Sequence, residues 1–240
     1  MNPESQKTIL EDVRRMTMTV KLFAQAMAKF LLGVFLVGIL IFLPAGTLAF
    51  WNGWLLMGIL FIPMFCAGIV MMFKNPKLLQ ARLDAKEMQK EQDMVVKLSG
   101  LMFLVGFVVA GLGVRFGWYT LPRAVVLGAA VAFLVAYILY AEVLRENTYL
   151  SRTIQVQENQ TVVDTGLYGI VRHPMYSVTL LLFLSIPLVL GCIYSFVIFL
   201  AYPLIIAKRI KHEEAFLEEQ LAGYREYKKK VKYRLIPFIW

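Results

Sequence analysis

The chain has 240 residues, of which 59% are hydrophobic and 17% charged, and its mean hydropathy is +0.66. One water-soluble core of this length could not cover so much apolar surface, so a soluble globular domain is excluded and a lipid-embedded protein is expected. The net charge of +9, carried beside long apolar runs, points to anionic lipid at the membrane surface and not to nucleic acid.

In chain order, the first 27 residues carry an apolar stripe of Ile9, Val13, Met16, Val20, Phe23 and Met27, with Glu11, Asp12, Arg14, Arg15 and Lys21 on the other faces. Steps of four and three predict an amphipathic helix, expected to lie on the cytoplasmic leaflet. Charged residues, with no small-residue cleavage site, surround the stripe, so it does not read as a signal peptide. Apolar runs at 28–50, 54–73, 98–118 and 124–144 each approach the roughly 20 residues that cross a hydrocarbon core. A polar, helix-prone connector, 74–97, separates the second run from the third. The last apolar tract, 176–207, is interrupted by Pro187 and Gly191 and predicts a helical hairpin.

The expected fold class is all-α: a polytopic integral membrane protein with about six membrane segments, including a C-terminal hairpin, plus cytoplasmic amphipathic helices. Three regions follow: an interfacial helix at 1–27, membrane helices at 28–150, and a C-terminal region at 151–240. With all six segments crossing, 23 of the 25 basic residues fall on one side and only Arg115 and Arg123 on the other. The excess assigns the first side, with both termini, to the cytoplasm. Cys66 and Cys192 lack metal-ligand spacing and read as packing residues, so no metal is expected.

Polar residues concentrate in the C-terminal region. Gln155, Gln157 and Gln160 precede GLYGIVRHPMY at 166–176, and KRIKHEEAFLEEQLAGYREYKKK follows the hairpin at 208–230. Pro174 suits the first turn of a helix, which leaves Arg172 and His173 at the hairpin mouth. There, unpaired N–H groups and the helix dipole would favour an anionic or electron-rich ligand; headgroup anchoring is the alternative. Arg209 and Glu213, four apart, share one side of the helix leaving the hairpin, either as a surface ion pair or as one wall of a pocket facing Arg172, His173 and Tyr176. The stripe of Ile210, Leu217, Leu221 and Tyr224 makes that helix amphipathic and expected to fold back over the membrane surface.

The order Gly166-x-Tyr168, Arg172-His173-Pro174-x-Tyr176, apolar hairpin, Arg209-x-x-x-Glu213-Glu214, Tyr224-x-x-Tyr227 resembles the isoprenylcysteine carboxyl methyltransferases and their prokaryotic relatives, over about residues 155–237. A wider group includes membrane phospholipid N-methyltransferases. The resemblance implies an S-adenosylmethionine-dependent methyltransferase without a Rossmann domain, and the chain has no G-x-G-x-x-G turn to contradict it.

By the same resemblance, Gln155 (with Gln157 competing), the run Gln160, Thr161, Val162 and Val163, then Tyr168, His173, Pro174, Met175, Tyr176 and Glu213 would contact S-adenosylmethionine. Arg209 would meet the methyl acceptor, and Arg209 with Glu213 would form the catalytic pair. The sequence departs from the family at Val178, where glycine is common, and at Gly191-Cys192, where Asn-Pro is often found. The acceptor expected is a carboxylate on an isoprenoid or other lipophilic group, entering from the bilayer of a prokaryotic inner membrane. Amine methylation of a phospholipid or small molecule, and a non-catalytic scaffold, are the alternatives.

Overall fold

The computed structural model describes residues 3–83, 90–118, 120–150 and 156–240, with side chains from residue 20 onward except 81 and 90–92. The protein is an all-α membrane bundle. Its helices are α1 (Pro3–Ala45), α2 (Trp51–Lys74), α3 (Pro76–Leu83), α4 (Lys90–Arg115), α5 (Arg123–Glu146), α6 (Pro174–Val189), α7 (Ile193–Phe199), α8 (Ala201–Gln220) and α9 (Tyr224–Lys230), with a 3-10 turn at Gly166–Gly169. Among the described residues, extended pairing is limited to one antiparallel bridge between Thr120 and Cys192.

Among the described residues, five stretches are long and apolar enough to cross a bilayer: Val20–Ala45, Trp51–Lys74, Asp93–Arg115, Arg123–Glu146 and Ile193–Gln220. Helix α6, with 16 residues, is the shorter sixth segment. Chain direction alternates through these six, so α3, residues 147–150 and 156–173, and α9 gather at one end, and residues 46–50, 117–118, 120–122 and 190–192 gather at the other. Arg115 and Arg123 sit at that far end with Trp51, Trp54 and Trp118; the Arg123 guanidinium lies 5.4 Å from the Trp51 ring. Tryptophan and arginine are side chains that suit a membrane–water boundary.

Two helices run further than the sequence pattern implies. Helix α1 runs without a break from Pro3 to Ala45, so the amphipathic segment and the first span share one backbone. Pro44 and the left-handed Gly46 (φ +68°) end it. The helix leaving the hairpin, expected to fold back over the membrane surface, is one unbroken helix with the last apolar arm. It continues to Gln220, because no breaker lies between Pro203 and Gly223, and the chain turns only at Gly223 (φ +82°).

The core lies between α4, α5, α6, α7 and α8, where Phe133, Phe199, Val189, Leu190 and Ile210 are fully or almost fully buried. Outward residues such as Phe35, Leu43, Ile138 and Leu204 are exposed, as expected of surfaces that face acyl chains. Tight helix approach depends on small residues, as is common where lipid supplies no hydrophobic drive. A methyl group added to Gly106 would stand 2.3 Å from the Phe199 ring, and Ser195 Oγ donates to the Gly106 carbonyl at 2.9 Å across the same contact.

The hairpin forms as the breakers predict, but it turns after Pro187 and not at it. Helix α6 continues through Pro187 to Val189. Gly191 then reverses the chain at φ +74°, and a Cβ there would meet Asn52 Nδ2 at 2.6 Å. Val178, where the resemblance led to glycine, is 4% exposed within the main core, so its bulk is accommodated.

Candidate active site

At the end of the bundle that carries α3 and α9, a pocket opens between residues 147–150 and 160–172, the mouth of α6, and α8–α9. Its walls include Gln160, Thr161, Val162 and Val163 on one side and Tyr168, His173, Met175 and Tyr176 on another. Arg209, Glu213, Leu217 and Leu221 of the α8 segment, with Tyr224 and Tyr227 of α9, close it. The structure thus brings together every sequence-derived candidate except two. Pro174 is buried at the first turn of α6 and is not part of this lining, while Gln155 lies outside the described residues. Its competitor Gln157 is occupied in the loop, donating its amide to the Tyr149 carbonyl at 2.7 Å. The Gln157 backbone N–H in turn donates to Gln160 Oε1 at 2.9 Å.

One hydrogen-bonded row crosses the pocket wall. Arg209 Nε donates to the Tyr176 hydroxyl at 2.8 Å, and that hydroxyl donates to Glu213 Oε2 at 2.5 Å. The i,i+4 pair on α8 is therefore coupled through a tyrosine from α6. The Arg209 guanidinium also stands 5.9 Å from the Tyr176 ring centroid, and the His173 ring stacks on the same tyrosine with centroids 5.8 Å apart.

A second carboxylate, adjacent in sequence, faces the other way. Glu214 is 2% exposed and accepts from Arg172 Nε at 2.7 Å and from Arg234 Nε at 3.1 Å. His173 Nε2 lies 3.3 Å from its Oε1. Arg172 also donates through Nη1 to the carbonyls of Val231 and Lys232, at 2.7 and 2.8 Å, and its backbone N–H donates to Tyr233 O at 2.9 Å. The chain after α9 is thus strapped beneath the mouth of α6. This changes one expectation: the N–H groups of Arg172 and His173 do not await a ligand, because Tyr233 and Arg234 carbonyls accept them.

The sequence pattern placed neither Asn147, Tyr149 and Leu150 after α5 nor Leu217, Leu221, Tyr224 and Tyr227 in a site, yet all of them line the pocket. The apolar spacing of α8 and the Tyr-x-x-Tyr pair were the available signals for the second group; nothing in the sequence singles out the first. Burial raises the phenol pKa of Tyr168, Tyr224 and Tyr227 well above the usual range. They act as neutral rings and hydroxyls at any physiological pH. The Tyr227 hydroxyl donates to the Tyr168 carbonyl at 2.8 Å, which locks the 3-10 turn onto α9.

A pocket walled by carboxylate, phenol rings and apolar side chains, with a guanidinium at one side, suits a cation with an attached aromatic group next to an anionic reactant. Residues 124–219 match the isoprenylcysteine carboxyl methyltransferase (ICMT) family. The matched segment spans α5, the 147–173 segment, α6, α7 and nearly all of α8, so it holds the Arg209–Tyr176–Glu213 row. The ICMT match implies a membrane methyltransferase. It stops before Leu221 and before Tyr224 and Tyr227 of α9, which complete the pocket from outside it. No curated protein matches the chain.

Proposed function

We propose that this protein methylates the carboxylate of an isoprenoid or otherwise lipophilic acceptor, using S-adenosylmethionine, at the cytoplasmic face of a membrane. The observation that carries this reading is the Arg209–Tyr176–Glu213 row: a cation, a neutral hydroxyl and a carboxylate held in register beside an apolar hairpin. When bound, S-adenosylmethionine supplies an electrophilic methyl group on a sulfonium centre.

The residues present fit that group. Glu213 offers negative charge to a cation, and the faces of Tyr168 and Tyr176 offer cation–π contact. Gln160 to Val163, with Leu217 and Leu221, provide backbone polar groups and an apolar wall for a nucleoside. Arg209 presents a planar guanidinium, whose geometry matches a carboxylate better than an ammonium would. An acceptor carboxylate with a pKa near ~4 arrives ionised and needs no general base. The task left to the protein is alignment. A pocket at the mouth of a membrane hairpin can admit a soluble donor from water and an apolar acceptor from lipid.

The test is the product bond. Purified protein in liposomes, given methyl-labelled S-adenosylmethionine and N-acetyl-S-farnesylcysteine, should form a methyl ester that mild alkali cleaves to methanol. Alkali-stable label on membrane lipid would replace this reading with phospholipid amine methylation. Failure to bind S-adenosylhomocysteine would leave a non-catalytic scaffold.

A further inference from the structure

We infer that Arg82, on α3 and outside the family-matched segment, is an acceptor-binding residue that receives the anionic group of the substrate together with the hydroxyl of Tyr168. The inference rests on the carboxylate reading above and extends it to a residue from the N-terminal half.

Among the described residues, three buried side-chain polar atoms make no well-formed hydrogen bond: Arg82 Nη2, Tyr224 Oη and Tyr168 Oη, the last with only the Asn147 side chain close to it. Buried donors are nearly always paired, because leaving one unpaired forfeits its hydration for nothing in return. These three are not scattered. Tyr168 and Tyr224 line the pocket, and Arg82 lies within electrostatic reach of the Tyr168 hydroxyl. The Arg82 guanidinium stands 5.5 Å from the ring centroid of Tyr140 on α5, which places it against the ICMT-type segment.

Arg82 is also held in place. The Lys29 ammonium donates to the Leu83 carbonyl, Asn75 Oδ1 accepts from the Leu78 N–H at 3.1 Å, and Leu79 is 5% exposed. These contacts tie α3 to α1 and to the end of α2. A guanidinium with no acidic partner among the described residues, held beside a neutral phenol donor, is a receptor for an oxyanion. Arg209 differs in this respect, because its Nε bonds a hydroxyl that itself bonds Glu213, so its charge is partly compensated nearby. The two arginines divide the work: Arg209 belongs to the row that faces both reactants, and Arg82 supplies charge for the acceptor alone.

The experiment is equilibrium binding of labelled N-acetyl-S-farnesylcysteine, and of its carboxamide counterpart, to the full chain in phosphatidylcholine nanodiscs with S-adenosylhomocysteine present. The wild type should prefer the carboxylate. Arg82→Gln (R82Q) should weaken carboxylate binding about tenfold, the order expected for one hydrogen bond to a charged group. Binding of the carboxamide and of S-adenosylhomocysteine should change less than about twofold. R82K should restore only part of the preference. Unchanged carboxylate affinity in R82Q overturns the assignment and leaves Arg82 to a lipid phosphate or to packing; equal weakening of both probes overturns it in favour of a structural role. Should R82Q lose S-adenosylhomocysteine binding, R82K decides, and full carboxylate preference in R82K overturns the assignment. A wild type with no carboxylate preference overturns this inference and the carboxylate reading together. A preferring wild type with an indifferent R82Q overturns only the Arg82 assignment.

Discussion

Arg172 and Glu214 form a buried ion pair, Nε to Oε1 at 2.7 Å, with side chains 5% and 3% exposed, while the adjacent Glu213 keeps 21% of its side chain exposed in the pocket wall. Successive residues of a helix point about 100° apart, so two neighbouring carboxylates serve different neighbours. Glu214→Gln leaves Arg172 and part of Arg234 uncompensated, and breaking a buried pair of this kind costs about 3 kcal/mol or more. The variant should therefore melt well below the wild type in detergent. Glu213→Gln should melt within a few degrees of the wild type but bind S-adenosylmethionine about tenfold more weakly, read by calorimetric titration. Equal melting loss in both variants would contradict the division.

Tyr176→Phe keeps the ring under Arg209 and His173 but removes both hydrogen bonds of the row. Hydrogen bonds to charged partners contribute about 1.5 to 3 kcal/mol, so kcat/KM for the acceptor should fall roughly ten- to hundredfold. Melting should fall modestly, since the ring's packing remains but the Arg209 Nε loses this acceptor. Arg209→Lys should act in the same direction by losing the planar fork. A Tyr176→Phe enzyme with unimpaired kcat/KM would show that Arg209 and Glu213 work without the bridge.

The fold class and the pocket's two main walls were legible because both depend on local pattern: apolar length for the spans, and Pro174, Gly191 and a histidine–tyrosine motif for the hairpin. What was not legible depends on distance along the chain. No spacing rule joins Arg172 to Val231 and Lys232, about 60 residues away, so the strap that consumes the Arg172 and His173 N–H groups could not be read. Nor could the Tyr176 bridge, since Arg209 and Glu213 at i,i+4 look like any surface pair until α6 packs on α8. Nor was the unbroken run of α8 to Gln220 legible, because its amphipathic stripe resembles that of an interfacial helix. The stripe instead packs Ile210 into the main core and Leu217 against Leu221 and Tyr224.

Topology is open to a direct labelling test. Residues 46–50, 117–118 and 120–122 lie at the end of the bundle opposite the pocket, and the basic residues concentrate at the pocket end. In a background with Cys66 and Cys192 replaced by alanine, Thr47→Cys should react with an impermeant thiol reagent on intact cells, while Lys74→Cys should react only after permeabilisation. The reverse pattern would put the pocket outside.

The raised phenol pKa values of Tyr168, Tyr224 and Tyr227 carry a pH dependence of known sign. In the unfolded chain these groups ionise near pH ~10; in the folded protein burial holds them protonated to higher pH. Below about pH 10 both states keep their protons and the tyrosines contribute no slope. Above it, the unfolded chain alone loses protons, so stability falls as pH rises toward the folded-state values. The melting temperature should thus be level between about pH 7 and 9 and drop above about 10, with the tyrosinate absorbance of these residues appearing together with unfolding. Tyr224→Phe keeps the ring in its cluster with Leu221, Tyr227 and Val231 and removes one titrating group, so its alkaline decline should be shallower. A decline as steep as the wild type's, with tyrosinate forming before the helices melt, would mean that the Tyr224 hydroxyl is not held away from water as its burial indicates.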